Sequence, residues 1–288
     1  LFPYTTLFRS TIEIAGNNGR LNRFSVDGVQ FSDDFGLNNG GLPTSRGPVP
    51  FDAIEQFSVK VAPFDIAEGD FQGGAVNVVI RSGTNKFHGG AFFTYTDDSL
   101  TGDRTRGRNV SLNFDSKQYG ANLSGPIIKD KLFFTLAYEK TKESDPFDDG
   151  FGPGFANQVP GLTQAVIDQV SSVAQTRYGY DTLGLSPNAV EEDEKFVGKL
   201  DWNISDRHRA NLRWTKTEQT DPKFNDINQD ALSLSSYYFN EVKTIDMLVG
   251  QWFADWSDTF STELKVSKRD FESAPKPFSN LPRINFVF

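Results

Sequence analysis

From Gly89 onward, apolar side chains return at every second position in a series of short stretches. Leu132, Phe134, Leu136 and Tyr138 fall on one side of such a stretch, and Phe133, Thr135 and Ala137 on the other. Phe196, Leu200, Trp202 and Ile204 oppose Lys199, Asp201 and Asn203, and Ala210, Leu212 and Trp214 oppose Asn211, Arg213 and Thr215. Phe260, Thr262, Leu264 and Val266 oppose Ser261, Glu263, Lys265 and Ser267. Successive side chains of a strand point to opposite faces, so this period predicts strands with one apolar and one polar face. Residues 89–95, 118–126 and 242–256 complete a set of seven predicted strands, of which 242–256 is the least clear because apolar residues fall on both of its faces.

The connections alternate as regularly as the side chains. Segments 127–131, 205–209 and 257–259 are short, whereas 96–117, 141–194 and 218–241 are long and polar. A soluble sandwich has no reason to alternate in this way, but a barrel in an outer membrane does, with short periplasmic turns and long external loops. A helical membrane protein is excluded, since no run approaches the roughly 18 apolar residues that a spanning helix needs. The mean hydropathy of −0.45 does not exclude a barrel, whose strands average lipid-facing and lumen-facing residues. The absence of cysteine decides little.

The net charge of −9 is concentrated. Segment 141–194 holds ten acids (Glu143, Asp145, Asp148, Asp149, Asp168, Asp181, Glu191, Glu192, Asp193 and Glu194) against Lys142 and Arg177. With no compensating basic face elsewhere, nucleic acid is not expected as a partner, because phosphate contacts need clustered Lys and Arg. Asp145, Asp148, Asp149 and Gly150 suggest a calcium loop, but Phe147 stands where the third ligand is required and the EF-hand pattern fails. Together with Glu191, Glu192, Asp193 and Glu194 these acids are either a solvated loop or a bridge for divalent cations. The same segment contains a predicted helix over 162–177, with Leu162, Val166, Ile167, Val170 and Val173 at helical spacing and Thr163 or Gly161 at its start. A helix covering one rim accounts for that pattern more simply than a ligand-contact element.

Before Gly89 the organisation differs. Arg23-Phe24-Ser25-Val26 and Thr11-Ile12-Glu13-Ile14 read as short strands, Asp27-Gly28 as a tight turn between Val26 and Val29, and 31–50, with three prolines, as a long loop. The stretch FDAIEQFSVKVAPFDIAEGDFQGGAVNVVIRSGTNKFHGGAFFTY over 51–95 then runs through an alternating strand (Phe57, Val59, Val61), the pair Gly73-Gly74, the run Val76-Asn77-Val78-Val79-Ile80, and the punctuation Ser82-Gly83-Thr84-Asn85. This order resembles the end of the plug domain of TonB-dependent outer-membrane receptors and its passage into the barrel. Phe24-Ser25-Val26-Asp27-Gly28-Val29 is similar to the recurrent "D-G-V" of the same plugs. Arg81 stands where lysine is commoner in that family, and Phe71-Gln72 replaces tyrosine-glycine. Gly125-Pro126-Ile127-Ile128-Lys129-Asp130-Lys131-Leu132-Phe133-Phe134 resembles a turn of the Oar-like branch, whose members bear a carboxypeptidase-regulatory domain; Ser124 takes the place of that turn's first glycine.

The resemblance implies a mainly β fold: a partial antiparallel transmembrane β-barrel, about seven strands of a barrel of about 22, with a small α/β plug module. The expected division is 11–86 for the later part of the plug and 87–288 for the first part of the barrel, with a long external loop at 141–194. Residues 1–10, LFPYTTLFRS, resemble the conceptual translation of a short-read sequencing adapter and are expected to pack against nothing specific. A signal peptide, a TonB box and any accessory domain are expected before Thr11, and the closing strands after Phe288. The implied function is energised uptake of a nutrient ligand across the bacterial outer membrane, the alternatives being a passive porin-like channel or a secreted β-rich adhesin or glycan-binding protein. Implied partners are outer-membrane lipid, a TonB-type energy transducer and an external ligand that the residues do not identify.

The implied plug signature is Asp27, Gly28, Gly73, Gly74 and Asn77. The Gly73-Gly74 pair is expected to let the plug backbone pass close to the barrel wall. Glu55 and Arg81 are the charges expected to make polar contact with that wall, because a plug must be held by bonds that water can replace. Catalysis is not expected. There is no Cys, the two histidines, His88 and His208, fall at the hinge and at a turn, and no Ser, His and Asp grouping or metal-ligand spacing stands out. Gly73-Gly74 has no phosphate-loop continuation, so no nucleotide or other cofactor is expected.

Overall fold

The computed structural model describes residues 13–14, 16, 18–32, 42–61, 73–101, 104–105, 108–109, 114–146, 149–150, 157–159, 161–185, 188–224 and 233–281. Residues 1–10, Asp148 and the residues after 281 lie outside these, so the readings of the adapter-like segment and of a calcium loop fall outside the described residues.

Four strands form an N-terminal module: β1 (Arg23–Val26), β2 (Val29–Gln30), β3 (Ile54–Val61) and β4 (Gly74–Ile80), in the order β2-β1-β4-β3. β1 runs parallel to β4, and the other pairs are antiparallel. The β1–β2 hairpin has the two-residue loop Asp27-Gly28, with φ of 47° and 73°. Positive φ at both positions matches the right-handed twist of the flanking strands and selects Asp-Gly. Alternation on β4 buries Val76, Val78 and Ile80, which join Phe24, Val26, Val29 and Phe31 in one core. Among its described residues the module contains strands and two 3-10 turns, Gly19–Leu21 and Phe51–Ala53. Ile14 is buried in its core without belonging to a strand.

The main body is a seven-stranded antiparallel sheet of β5 (His88–Asp97), β8 (Asp115–Ile128), β9 (Leu132–Pro146), β12 (Asn188–Ser205), β13 (His208–Lys223), β14 (Phe239–Ser257) and β15 (Phe260–Pro277), each paired with its sequence neighbour. The intervening labels belong to two-residue strands in the long connections: β6 (Arg104–Thr105) with β7 (Arg108–Asn109), and β10 (Asp149–Gly150) with β11 (Asn157–Gln158). All seven predicted strands are present, and β15 and β5 form the two edges of an open sheet. Turns at 129–131, 206–207 and 258–259 lie on one rim and the long connections on the other, as the parity required.

The strands are longer than the alternation indicated. β9 runs on to Pro146 and β12 starts at Asn188, which places Glu191, Glu192, Asp193 and Glu194 in a strand and confines the connection to 147–187. At this level both faces are polar: Lys140 and Lys142 face outward to pair with Glu192 and Glu194. Backbone ladder bonds continue regardless of side-chain polarity, so the ladder persists where the apolar period has ended. The predicted helix is α1 (Gln164–Tyr178), capped by the Thr163 hydroxyl accepting from Val166 N–H at 3.3 Å and ended by Gly179 at φ 62°. Ile167 and Ala174 are its buried residues, and the segment that follows is tied to the next long connection, where Tyr180 Oη donates to Ser236 Oγ at 3.1 Å and Ser236 N–H to Thr182 O at 3.0 Å.

The two faces of the sheet differ in kind. Leu136, Leu200, Trp202, Ile204, Leu212, Trp214, Leu248, Trp252, Leu264 and Val266 are exposed on the outward face. The inward face carries Thr135, Glu139, Lys195, Lys199, Arg213, Thr215, Thr217 and Gln219, and the module covers it. Ala137, Val197, Ile245, Met247 and Val249 on that face join the module core. This explains why 242–256 is apolar on both sides: β14 shows one apolar face outward and another to the module.

Candidate functional site

The seam between module and sheet concentrates the buried polar chemistry. Asp27 sits at its centre. Its strained turn conformation aims the carboxylate at two targets: Oδ1 accepts the Ile80 N–H of the module at 2.9 Å, and Oδ2 accepts from Arg213 Nη1 of the sheet at 2.6 Å. The Asp27 carbonyl also accepts from Gln251 Nε2 at 3.2 Å, and its N–H donates to Val78 O at 2.8 Å. Arg213 is only 1% exposed, so this is an ion pair largely withdrawn from water. Next to it, Lys199 Nζ donates to Ile80 O at 3.1 Å and Ser82 Oγ at 3.0 Å and lies 3.5 Å from Asp201.

A second set of contacts lies toward the rim of long connections, where the module sends 42–51 across the sheet. Arg46 is ion-paired with Glu143 and lies 3.5 Å from Glu191. Burial works against its charge, but the carboxylates of Glu191, Glu143 and Asp193 outweigh that and hold the guanidinium above its ordinary range. Gln219 contacts Ser45 and donates to Glu191 at 3.0 Å, while Thr217 Oγ1 donates to Pro48 O at 2.7 Å. Glu139 accepts the Phe51 N–H at 2.8 Å and faces Lys195 at 3.5 Å. The module thus inserts a cation among acids at one level and an acid beside cations at the other, so its charges complement the wall at both levels.

Of the signature residues, Asp27, Gly28 and Asn77 lie together at the hairpin tip, whereas Gly73 and Gly74 lie at the other end of β4. Asn77 Oδ1 accepts the Gly28 N–H and the Ser25 hydroxyl, and Gly74 N–H donates to Asn22 Oδ1 at 2.9 Å. Gly73 N–H donates to Leu21 O at 3.0 Å. A Cβ on Gly74 would meet Ile14 and the Lys60 carbonyl, so that glycine permits close packing inside the module. The glycine that approaches the wall is Gly83, where a Cβ would lie 2.6 Å from Phe134 O and 2.9 Å from Gly125 O. Arg81 turns back into the module, its Nε donating to Ile54 O at 3.0 Å, and Glu55 is exposed on β3.

Two sequence motifs that resembled the same family also touch. Asn85, of Ser82-Gly83-Thr84-Asn85, accepts the Asp130 N–H at 2.8 Å and contacts the Asp130 carboxylate, which ties the link to the turn between β8 and β9. Asp130 adopts φ 63° there. Sequence reasoning missed Arg46, Lys199 and Arg213; the one available signal was a long cation on the polar side of an alternating strand, which solvent would equally accommodate. No group of three or more His, Cys, Asp or Glu side chains able to hold a metal occurs among the described residues.

Comparison with known proteins agrees with this architecture. A family described as outer membrane beta barrel domain matches residues 79–150. The TonB-dependent transporter Oar of Myxococcus xanthus is 32% identical over 219 residues, 70% of this chain and 19% of that protein. The probable TonB-dependent siderophore receptor PirA of Acinetobacter baumannii is 32% identical over 145 residues, 46% of this chain and 18% of that protein. The chain therefore spans about a fifth of the length of these relatives. Among solved structures, that of the siderophore receptor PirA from Acinetobacter baumannii superposes with a TM-score of 0.56 at 19% identity over 90% of this chain and 33% of that one. The outer membrane transporter YddB from Escherichia coli gives 0.60 at 12% identity over 93% and 34%. At those identities the likeness shows the fold: an antiparallel wall with a module lodged against its inner face. Taken with the sequence relatives, it establishes that the chain belongs to the TonB-dependent receptors of the bacterial outer membrane.

Proposed function

We propose that residues 11–86 are the later part of a plug and 87–288 the first strands of its barrel, in a receptor that takes up a nutrient ligand across the outer membrane when a TonB-type transducer displaces the plug. The supporting observation is the manner in which the module is seated. Asp27, Arg46, Ser45, Pro48, Phe51 and Ile80 contact the wall through ion pairs and hydrogen bonds whose partners water can replace. A permanently fixed element would be expected to use a wholly apolar seam. A plug that must leave and return benefits from charges that hydrate on release. A passive channel has no use for such a closure. The transporter and receptor names of the relatives point the same way, toward transport and away from catalysis.

The test is a deletion of the intact gene in its host, with growth scored on limiting ferric siderophores, glycans, peptides and cobalamin. One class of nutrient should be lost, and a protonophore should abolish its uptake in the parent strain. Uptake that persists with the proton-motive force collapsed would indicate a passive channel instead.

A further inference from the structure

Lys199 and Arg213 are register partners on neighbouring strands, both buried beneath the module. One corner of the module covers them both, with the Asp27 carboxylate on Arg213 and the Ile80 carbonyl on Lys199. The wall offers more donors than that corner uses. Arg213 Nε and Nη2 and the hydroxyls of Thr135 and Thr215 are buried without a hydrogen-bond partner among the described residues. Thr135 and Arg213 flank Lys199 in a single cross-strand row, and Thr215 lies two residues along β13 on the same face. A guanidinium carries five donors in a planar fork suited to a carboxylate or phosphate, and here Asp27 engages it through a single nitrogen.

The charges close to this row are balanced only while the module is seated. Lys199, Arg213 and Lys265, whose ammonium lies 3.1 Å from the position of a Cβ on Gly28, face Asp27, Asp201 and Glu263. Withdrawal of Asp27 leaves one positive charge unmatched at a site rich in buried donors. We propose that Lys199, Arg213, Thr135 and Thr215 form an anion-binding station in the wall, that the Asp27 carboxylate is its tethered occupant, and that it receives an anionic group of the transported ligand when the module moves aside. This rests on the uptake reading above and adds a chemical class to it: the cargo carries a carboxylate or a comparable oxyanion.

Citrate serves as the probe, added to the intact receptor in detergent and followed by isothermal titration against chloride at matched ionic strength, which screens non-specific attraction equally. Asp27→Asn removes the occupant and leaves the wall unchanged, so citrate should bind this variant more tightly than the parent. The double variant Asp27→Asn with Arg213→Gln lacks the same ion pair but also lacks the fork, and binding should be lost. Because both variants have the pair broken, weakened seating is common to them, and circular dichroism verifies that both are folded. Equal citrate affinity in the two variants, or no binding to Asp27→Asn, would overturn the proposal. A receptor that binds citrate as described but carries no nutrient would overturn the uptake reading alone.

Discussion

Asn77 on β4 accepts the backbone N–H of Gly28 at 2.8 Å, so a single side-chain oxygen locks the tip of the β1–β2 hairpin to the strand with which β1 pairs in parallel. The same oxygen accepts the Ser25 hydroxyl at 2.9 Å. The hairpin holds Asp27 against Arg213, so its local geometry sets the position of the ion pair.

Asn77→Ala should therefore loosen the module by about 1 kcal/mol, the net worth of a hydrogen bond of this kind. Gly28→Ala should cost about 1–2 kcal/mol, because its φ of 73° is left-handed, and the added methyl group would also meet the Lys265 ammonium. Limited proteolysis of the module in the intact receptor provides the measurement. Cleavage rates unchanged in both variants would show that the turn does not control seating.

The link between module and sheet permits a sharper comparison. A Cβ on Gly83 would strike the Phe134 and Gly125 carbonyls, which belong to the sheet backbone and cannot yield. A Cβ on Gly125 would meet the ring of Phe87, which is 67% exposed and free to swing outward. Gly83→Ala should thus destabilise by about 1–3 kcal/mol, the range for overpacking, and Gly125→Ala by distinctly less. Urea titration of the two variants side by side would give the order, and the reverse order would contradict the close approach at Gly83.

The starts and ends of strands at the rim of short turns could be read from sequence because two-residue and three-residue turns sit directly between alternating apolar runs. The opposite ends could not, because Glu191, Glu192, Asp193 and Glu194 look like solvated loop whether or not a ladder continues through them. β14 was blurred for a different reason: Ile245, Met247 and Val249 serve a core contributed by residues two hundred positions earlier. In the site, Asp27, Gly28 and Asn77 stood out because turn geometry makes local demands on residue type. Arg213 did not, since an ion pair spanning 186 residues leaves no local trace on either partner.

The outward face can be tested at Leu136, which lies in a cross-strand row with Leu123, Gly198, Trp214 and Leu248. Leu136→Lys should cost about 2–4 kcal/mol if this row is near the bilayer midplane, since a charge there must be taken into hydrocarbon. Refolding of the intact receptor into lipid vesicles under urea measures that cost. A near-zero cost would place the row at the interface or in the lumen.

The last prediction concerns the cation the module inserts near the rim of long connections. At this level the outward residues Lys140, Lys142, Glu192 and Glu194 are charged, so Arg46, Glu143 and Glu191 lie beyond the apolar band. Arg46→Gln leaves Glu143 and Glu191 facing each other with Asp193 and Glu139 close by, and removing one partner of a buried pair costs about 3–5 kcal/mol at neutral pH. The sign of the pH dependence follows from like-charge repulsion, which raises the folded-state proton affinity of these carboxylates in the variant. A folded state that holds protons more tightly than the unfolded chain is favoured at low pH and loses that advantage as pH rises through the raised values. The variant should therefore regain seating of its module on acidification from pH 7 toward pH 5, and by more than the parent, in which Arg46 stands between Glu143 and Glu191. Spin labels at Gln56→Cys in the module and Asp206→Cys in a turn of the sheet would report the distance in each. A defect in Arg46→Gln that is the same at both pH values would mean that Arg46 contributes packing and not charge.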